Sequence, residues 1–147
     1  MSRAAADPSL LEPLSYCFWY ENQVRFADLD PLNHVNNIAF AVYAEDARAA
    51  FLTATGLWRV DSPRQNVIAR LELDYLHELR YPARIRVGLR VLALGRTSMT
   101  IGAAIFDEQQ RCVALITAVA VRWHLGERKP IELNDDERAI LRRYMST

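Results

Sequence analysis

The sequence predicts an α+β domain in which a five-stranded antiparallel sheet wraps around one long central helix, with a short second helix at the C-terminal end. Three observations carry this expectation. Residues 38–55 contain no glycine or proline and abound in Ala, Glu and Arg, the composition of a helix interior. From Asn66 onward the pattern changes to alternating apolar and polar side chains, the period-2 signal of half-buried strands. The links between those segments are short, which favours antiparallel pairing.

The elements follow in order. Residues 1–14 are polar, broken by Pro8 and Pro13, and are expected to form a flexible N-terminus before a single domain over 15–147. Ser15 to Phe26 is rich in aromatic residues and reads as a strand. The long helix is expected from Ile38 to Thr55, stopped by Gly56. Its apolar residues (Ile38, Phe40, Ala41, Val42, Ala44, Ala47, Ala50, Phe51, Ala54) cover more than one stripe, which predicts burial on several sides. In "NVIARLELDYL" Val67, Ala69, Leu71, Leu73 and Tyr75 alternate with Arg70, Glu72 and Asp74. "ARIRVGLRVLAL" repeats the pattern, and Gly95 turns the chain into "SMTIGAAIF". Residues 107–110 turn it again into "CVALITAVAVRW", apolar on both faces and so expected inside the sheet. "LNDDERAILRRYM" is the closing helix, with Asn134 as its N-cap and acids in its first turn. One sheet face around one helix is a two-layer solution, and this order of elements is that of the hot-dog fold. Such a layer leaves an edge strand uncovered, for which pairing with a second copy is the usual remedy.

Composition narrows the function classes. At 147 residues the chain has the size of one domain with a real core. Its formal net charge is zero, so no global field draws it to nucleic acid or an anionic membrane. The basic residues are almost all arginine, with Lys129 the one lysine, a bias that a GC-rich genome gives without any function. No window approaches the roughly 20 apolar residues of a membrane helix, and the N-terminal stretch lacks the apolar run of a signal peptide. Cys17 and Cys112 form no CxxC and are expected to be buried, reduced core residues of a cytoplasmic chain. His34, His77 and His124 are scattered, without the i, i+4 pairing of a metal site. There is no GxSxG and no glycine-rich phosphate loop.

One stretch stands out, "FADLDPLNHVNNIAF" from Phe26 to Phe40. Part of its polarity is local structure. Asn36 or Asn37 can cap the helix, and Asp30-Pro31 opens a turn. That leaves Asp28, Asp30, Asn33 and His34 within seven positions. A chemical reading uses the same geometry. A helix N-terminus offers unpaired N–H groups and partial positive charge, which would polarise a carbonyl and stabilise an oxyanion. A carboxylate from the preceding loop could then attack that carbonyl or activate water. Such an arrangement suits acyl transfer without a metal or a Ser–His pair.

"VRFADLDPLNHVNNIAFAVYAEDAR" resembles the signature of the hot-dog acyl-CoA thioesterases, the 4-hydroxybenzoyl-CoA thioesterase-like superfamily. Its members read R-[FWY]-x-D-x-D-x-x-x-H-V-N-N, followed by a helix with E-x-A-R. The matching positions are Arg25, Phe26, Asp28, Asp30, His34, Val35, Asn36 and Asn37, then Glu45, Ala47 and Arg48. The similarity continues through "LDYLHELRYPARIRV", "LGRTSM" and "DEQQRCVALITAVAVRW", covering about residues 16 to 125.

The resemblance implies a thioester hydrolase that splits a fatty or aromatic acyl-CoA into free acid and CoA, with no cofactor beyond the CoA of the substrate. Asp30 takes the position of the family's nucleophile or general base. Backbone N–H groups near Asn36 and Asn37 would hold the thioester oxygen, and His34 matches a member of the catalytic network of the plant acyl-carrier-protein branch. That branch has Asn where this chain has Leu32, so its full mechanism is not carried over. Arg96, Thr97 and Ser98 match a region near the CoA phosphates. Phe40, Tyr43 and the strand from Val67 are candidates to line an acyl slot, while Asp28 and Arg48 read as structural. A homodimer or homotetramer is expected. Two alternatives stand beside the hydrolase. One is a hot-dog enoyl-CoA hydratase or dehydratase, from whose D-x-N-P-x-H arrangement "DLDPLNH" departs. The other is a non-catalytic dimer that binds acyl-CoA or an acyl carrier.

Overall fold

The structure, a computed structural model, describes residues 7–145. Its elements are β1 (Phe18–Gln23), α1 (Asn37–Ala54), β2 (Arg64–Tyr75), β3 (Arg84–Leu94), β4 (Ser98–Phe106), β5 (Cys112–His124), a two-residue β6 (Lys129–Pro130) and α2 (Asp135–Arg142). The main strands pair antiparallel in the order β1-β3-β4-β5-β2, and β6 pairs with β5. This is the hot-dog arrangement that the element order predicts.

Both helix caps form as the side-chain chemistry dictates. The Asn36 side chain accepts from Ile38 N at 2.9 Å. Asn134 and Glu137 make a reciprocal capping box at the start of α2. The strand predicted to lie inside the sheet does so, since β5 has β4 on one side and β2 on the other.

α1 corrects the expectation of burial on several sides. Its buried residues are the pairs Ala39/Phe40, Tyr43/Ala44, Ala47/Arg48 and Phe51/Leu52, a single stripe repeating every four residues. Ile38 and Val42 stay exposed. The stripe packs on β1, β3, β4 and β5, where the small alanines bring helix and sheet close. The core side of β2 is only partly under that cover, with Leu73 packed on the core. Ile68, Leu71 and Tyr75 keep 42%, 43% and 46% exposure, although their cross-strand partners Ala120, Ala118 and Ala114 are buried.

Two further expectations change. The links are not all between sheet neighbours: β3–β4 and β4–β5 are hairpins, whereas residues 76–83 carry the chain from β2 past β5 and β4 to β3. In β2 the register shifts between Ile68 and Arg70. The extra residue, Ala69, moves the core face from the Val67/Ala69 set to Ile68 before Leu71 and Leu73 resume it.

Of the expected flexible N-terminus, residues 1–6 lie outside the described residues. From Asp7 on the chain forms two short 3-10 turns laid on the outer face of the sheet. Leu10 and Tyr16 cover Ala104, Phe106 and Leu115 there, and Tyr16 sits where any side chain on Gly88 would collide with it. This second cluster explains why β5 is apolar on both faces. Cys112 is buried in it, and burial pushes its thiol up to about 11. Cys17, expected in the core, is exposed just before β1. Among the described residues no helix is long and apolar enough to cross a membrane.

At the sheet end away from the Phe26–Phe40 loop, Glu137 of α2 is buried between Arg64 and Arg122. Arg122 Nε donates to Glu137 at 2.6 Å, and its Nη1 donates to Leu57 O at 2.6 Å. Burial raises the Glu137 pKa, but bonds from Arg64, the Asn134 backbone and Arg122 outweigh it and leave the carboxyl below its ordinary 4.5. A carboxyl held low when folded stabilises the fold above its unfolded value, and that contribution fades as pH falls through the folded one. Glu137→Gln, which leaves two guanidiniums without their counter-charge, should cost about 3 kcal/mol in urea unfolding at pH 7. The gap between wild type and variant should narrow as the pH falls below 4.5.

Candidate active site

The site grows from the turn between β1 and α1. Asp30 N donates to His34 O at 2.8 Å and Asn33 N to Asp30 O at 3.0 Å. Leu29 and Val35 bridge antiparallel across this small loop. Asn33 takes a φ of 63°, a left-handed conformation that asparagine tolerates better than most residues.

The two aspartates in the turn have different environments. Asp28 is buried, and both its oxygens are engaged. Oδ1 accepts from Arg25 Nε and Nη2 at 3.2 and 2.9 Å, and Oδ2 from Arg25 N at 2.9 Å and Tyr43 Oη at 2.7 Å. Burial pushes its carboxyl up, yet these bonds outweigh it and hold the group below the ordinary 3.8. Burial and the neighbouring carboxylate together push the Tyr43 phenol well up. Asp28 O also accepts from Asn36 N at 2.8 Å, so this residue fixes the helix cap from both its side chain and its backbone.

Asp30 is half-buried and only half engaged. Its Oδ1 accepts from Leu32 N at 2.9 Å and His34 N at 3.1 Å. Its Oδ2 accepts no hydrogen bond among the described residues. The carboxylate lines a cavity of about 460 Å³ with His34, Asn37, Phe40, Tyr75 and Glu78. Asn37 opens α1, and its N–H has no partner among the described residues, as expected of the first helical donor. Two grooves of about 610 and 580 Å³ lie round Arg84 and Glu108 instead. They mix charges of both signs and contain neither Asp30 nor the start of α1.

The fold thus brings Asp30, His34 and Asn37 together, whereas Asn36 lies outside the cavity lining with its N–H given to Asp28 O and its side chain to the helix cap. It adds Glu78, which the sequence reading did not name, and sets beside them Tyr75 from the strand expected to line an acyl slot. Tyr75 donates to Asn37 O at 3.0 Å and stacks edge-on against Phe40 at 5.4 Å. Glu78 reaches His34 Nε2 at 3.1 Å. Only the tertiary fold reveals these, because β2 and its exit loop are remote from the turn in sequence. Arg96, Thr97 and Ser98 lie elsewhere in the same chain. Ser98 pairs with Val121, whereas Tyr75 pairs with Ala114. Seven positions along β5 separate them, roughly 23 Å at about 3.3 Å per residue. Arg96 pairs with Glu132 at 2.9 Å. Tyr43, a candidate for the acyl slot, is committed to Asp28, and Arg48 is buried 3.8 Å from Glu45. Among the described residues no group of His, Cys, Asp and Glu is placed to hold a metal ion.

This sheet order around one helix is matched by known proteins. The sequence matches the thioesterase-like superfamily over residues 24–141. The chain belongs to that family. Its structure is similar to that of the PA5185 protein of Pseudomonas aeruginosa, with 26% identity, 91% of this chain and 95% of the other covered and a TM-score of 0.84. It is also similar to a thioesterase of Thermus thermophilus complexed with coenzyme A and Zn, with 31% identity, 88% and 95% covered and a TM-score of 0.75. Among curated proteins, YsmA of Bacillus subtilis is 25% identical over 87 residues, and the match spans 59% of each chain. These comparisons support a thioesterase in general terms, with residues 24–141 as the family's part of the chain.

Tyr43→Phe removes one hydrogen bond from the buried Asp28 and should cost about 1–2 kcal/mol in urea unfolding at pH 7. Because Asp28 is held below 3.8, its own contribution to stability is complete above that value and fades as pH falls through the lower folded one. A pH series of unfolding midpoints for Tyr43→Phe and wild type checks both statements.

Proposed function

We propose that this chain hydrolyses acyl-CoA thioesters to a free carboxylic acid and CoA, with Asp30 as base or nucleophile. The observation that carries the reading is the half-committed carboxylate. Two backbone N–H groups fix Oδ1 of Asp30 while Oδ2 faces no hydrogen-bond partner among the described residues, in the cavity that also holds the start of α1. In the base route Oδ2 takes a proton from water, and the water oxygen adds to the thioester carbon. The carbonyl oxygen becomes an oxyanion beside the Asn37 N–H and the positive end of α1. Collapse breaks the C–S bond, and a proton delivered to sulfur completes the free thiol. The bound CoA of the Thermus thermophilus relative supports a CoA thioester as the substrate class.

A second copy completes the proposal. β2 is an edge strand whose core side is only partly covered by α1, leaving Ile68, Leu71 and Tyr75 partly exposed. Antiparallel pairing of two β2 edges about a two-fold axis would bury these residues. It would also set the Arg64 end of one strand beside the Tyr75 end of the other. Arg96, Thr97 and Ser98 of the second copy would then lie on the side of this chain's Asp30, where guanidinium and hydroxyl groups suit CoA phosphates.

Thiol release from short, medium, long and aromatic acyl-CoAs tests the reaction. Asp30→Asn keeps the shape and an acceptor for the two N–H groups but removes the base, and should lower kcat about 10²-fold or more. Conversion of enoyl-CoA without thiol release would indicate the hydratase instead, and binding without turnover the non-catalytic dimer. For assembly, Leu71→Arg should shift the sedimentation coefficient to that of a monomer, and an unchanged dimer would move the interface away from β2.

A further inference from the structure

We propose that Glu78 is a positioning residue for this reaction, acting through His34. The proposal rests on the hydrolase reading above and goes beyond it, since Glu78 comes from the loop after β2. Its carboxylate uses its two oxygens separately. Oε2 lies 3.1 Å from His34 Nε2, and Oε1 accepts from Arg80 Nη2 at 3.1 Å. Arg80 Nη2 is itself 3.4 Å from His34 Nε2. A guanidinium only donates, so that contact would need Nε2 as an acceptor, while Glu78 needs it as a donor. One nitrogen cannot do both. With the ring protonated, Nε2 carries a hydrogen and pairs with the Glu78 carboxylate; with the ring neutral, Nε2 can instead accept from Arg80, which Glu78 holds. Nδ1 has no hydrogen bond among the described residues, and His34 lines the cavity with Asp30.

The loop that presents Glu78 is fixed on both flanks. His77 N donates to Val113 O at 3.1 Å, and Val35 N donates to Leu79 O at 2.9 Å. Leu79 is buried in the main core. Glu78 is therefore tied by the backbone to the very turn that holds His34. The pair is not there for stability. The two side chains are 33% and 52% exposed, and exposed ion pairs contribute little to folding. What Glu78 does, directly and through Arg80, is hold the Nε2 edge of the ring and limit rotation of the imidazole, as a carboxylate does for a working histidine elsewhere. Held in this way, the protonated ring can hand its Nδ1 proton to the departing sulfur. Arg80 holds Glu78 in place.

Steady-state kinetics on wild type, Glu78→Gln, His34→Ala and the double variant test this, with melting curves to confirm that each is folded. The expected result is a fall in kcat of roughly 10- to 100-fold for Glu78→Gln, with KM within about twofold, as suits an orienting group. In the His34→Ala background Glu78→Gln should then have no further effect, because the two act as one unit. Three results would overturn the proposal: wild-type kcat in Glu78→Gln, a raised KM with unchanged kcat, or losses that add in the double variant. These leave the hydrolase reading standing. Absence of thiol release from wild type with every acyl-CoA would remove the hydrolase reading, and this role with it.

Discussion

The bonds made by Asp28 are the constraint on which the site depends. A buried carboxylate is tolerable only when its lone pairs are met, and here Arg25 and Tyr43 meet them. Arg25 follows β1 and Tyr43 belongs to α1, so meeting that requirement fixes the end of a strand against the first turns of the helix. The Asp28 carbonyl takes the Asn36 N–H, which sets where the helix starts. Asp30 and His34 lie between those two attachments, and the Asn37 N–H directly follows them.

The helix explains the remaining geometry. Its stripe of Ala39, Ala44 and Ala47 with Phe40 and Phe51 packs on β1, β3, β4 and β5, and the N-terminus of α1 thereby meets the end of β2 where Tyr75 bonds Asn37 O. Burial on one side leaves Ile38 and Val42 of the helix exposed, with Ile68, Leu71 and Tyr75 on the β2 edge. The apolar pattern spread round α1 in the sequence includes these residues that the chain leaves exposed.

That pattern marks the boundary of what the sequence made legible. Element types and the caps at Asn36 and Asn134 follow from local chemistry and are present in the structure, although β1 is three residues shorter at each end than the aromatic run suggests. The Asp30 turn was legible because a run of polar residues before a helix exceeds what capping needs. The neighbours of β2 were not, because alternation reports which face a residue takes and not which strand lies beside it. The extra residue at Ala69 was hidden as well, since Val67, Ala69 and Leu71 keep an alternation in sequence that the backbone breaks. Cys17 was misjudged because a bend before β1 turns an apparently strand-like position outward. Glu78 carries no local signal at all. It is one acid in "HELR", and its relation to His34 exists only once β2 has been laid beside β5.

The contrast between the two aspartates also says why the roles are not interchangeable. Both sit in the same turn, two residues apart, and residue type alone does not separate them. A carboxylate with four donors on two oxygens, as in Asp28, has its basicity consumed in holding the fold, and its lowered pKa is the measure of that. Asp30 has two donors on one oxygen. Its position is fixed to the backbone, yet a lone pair is left over in a cavity with an unpaired helix N–H. Fixed position with a free lone pair is what the proposed reacting carboxylate has and the structural one lacks, and it arises here from which donors the chain places within reach. Moving the carboxylate by two positions would therefore exchange the proposed reagent for an anchor.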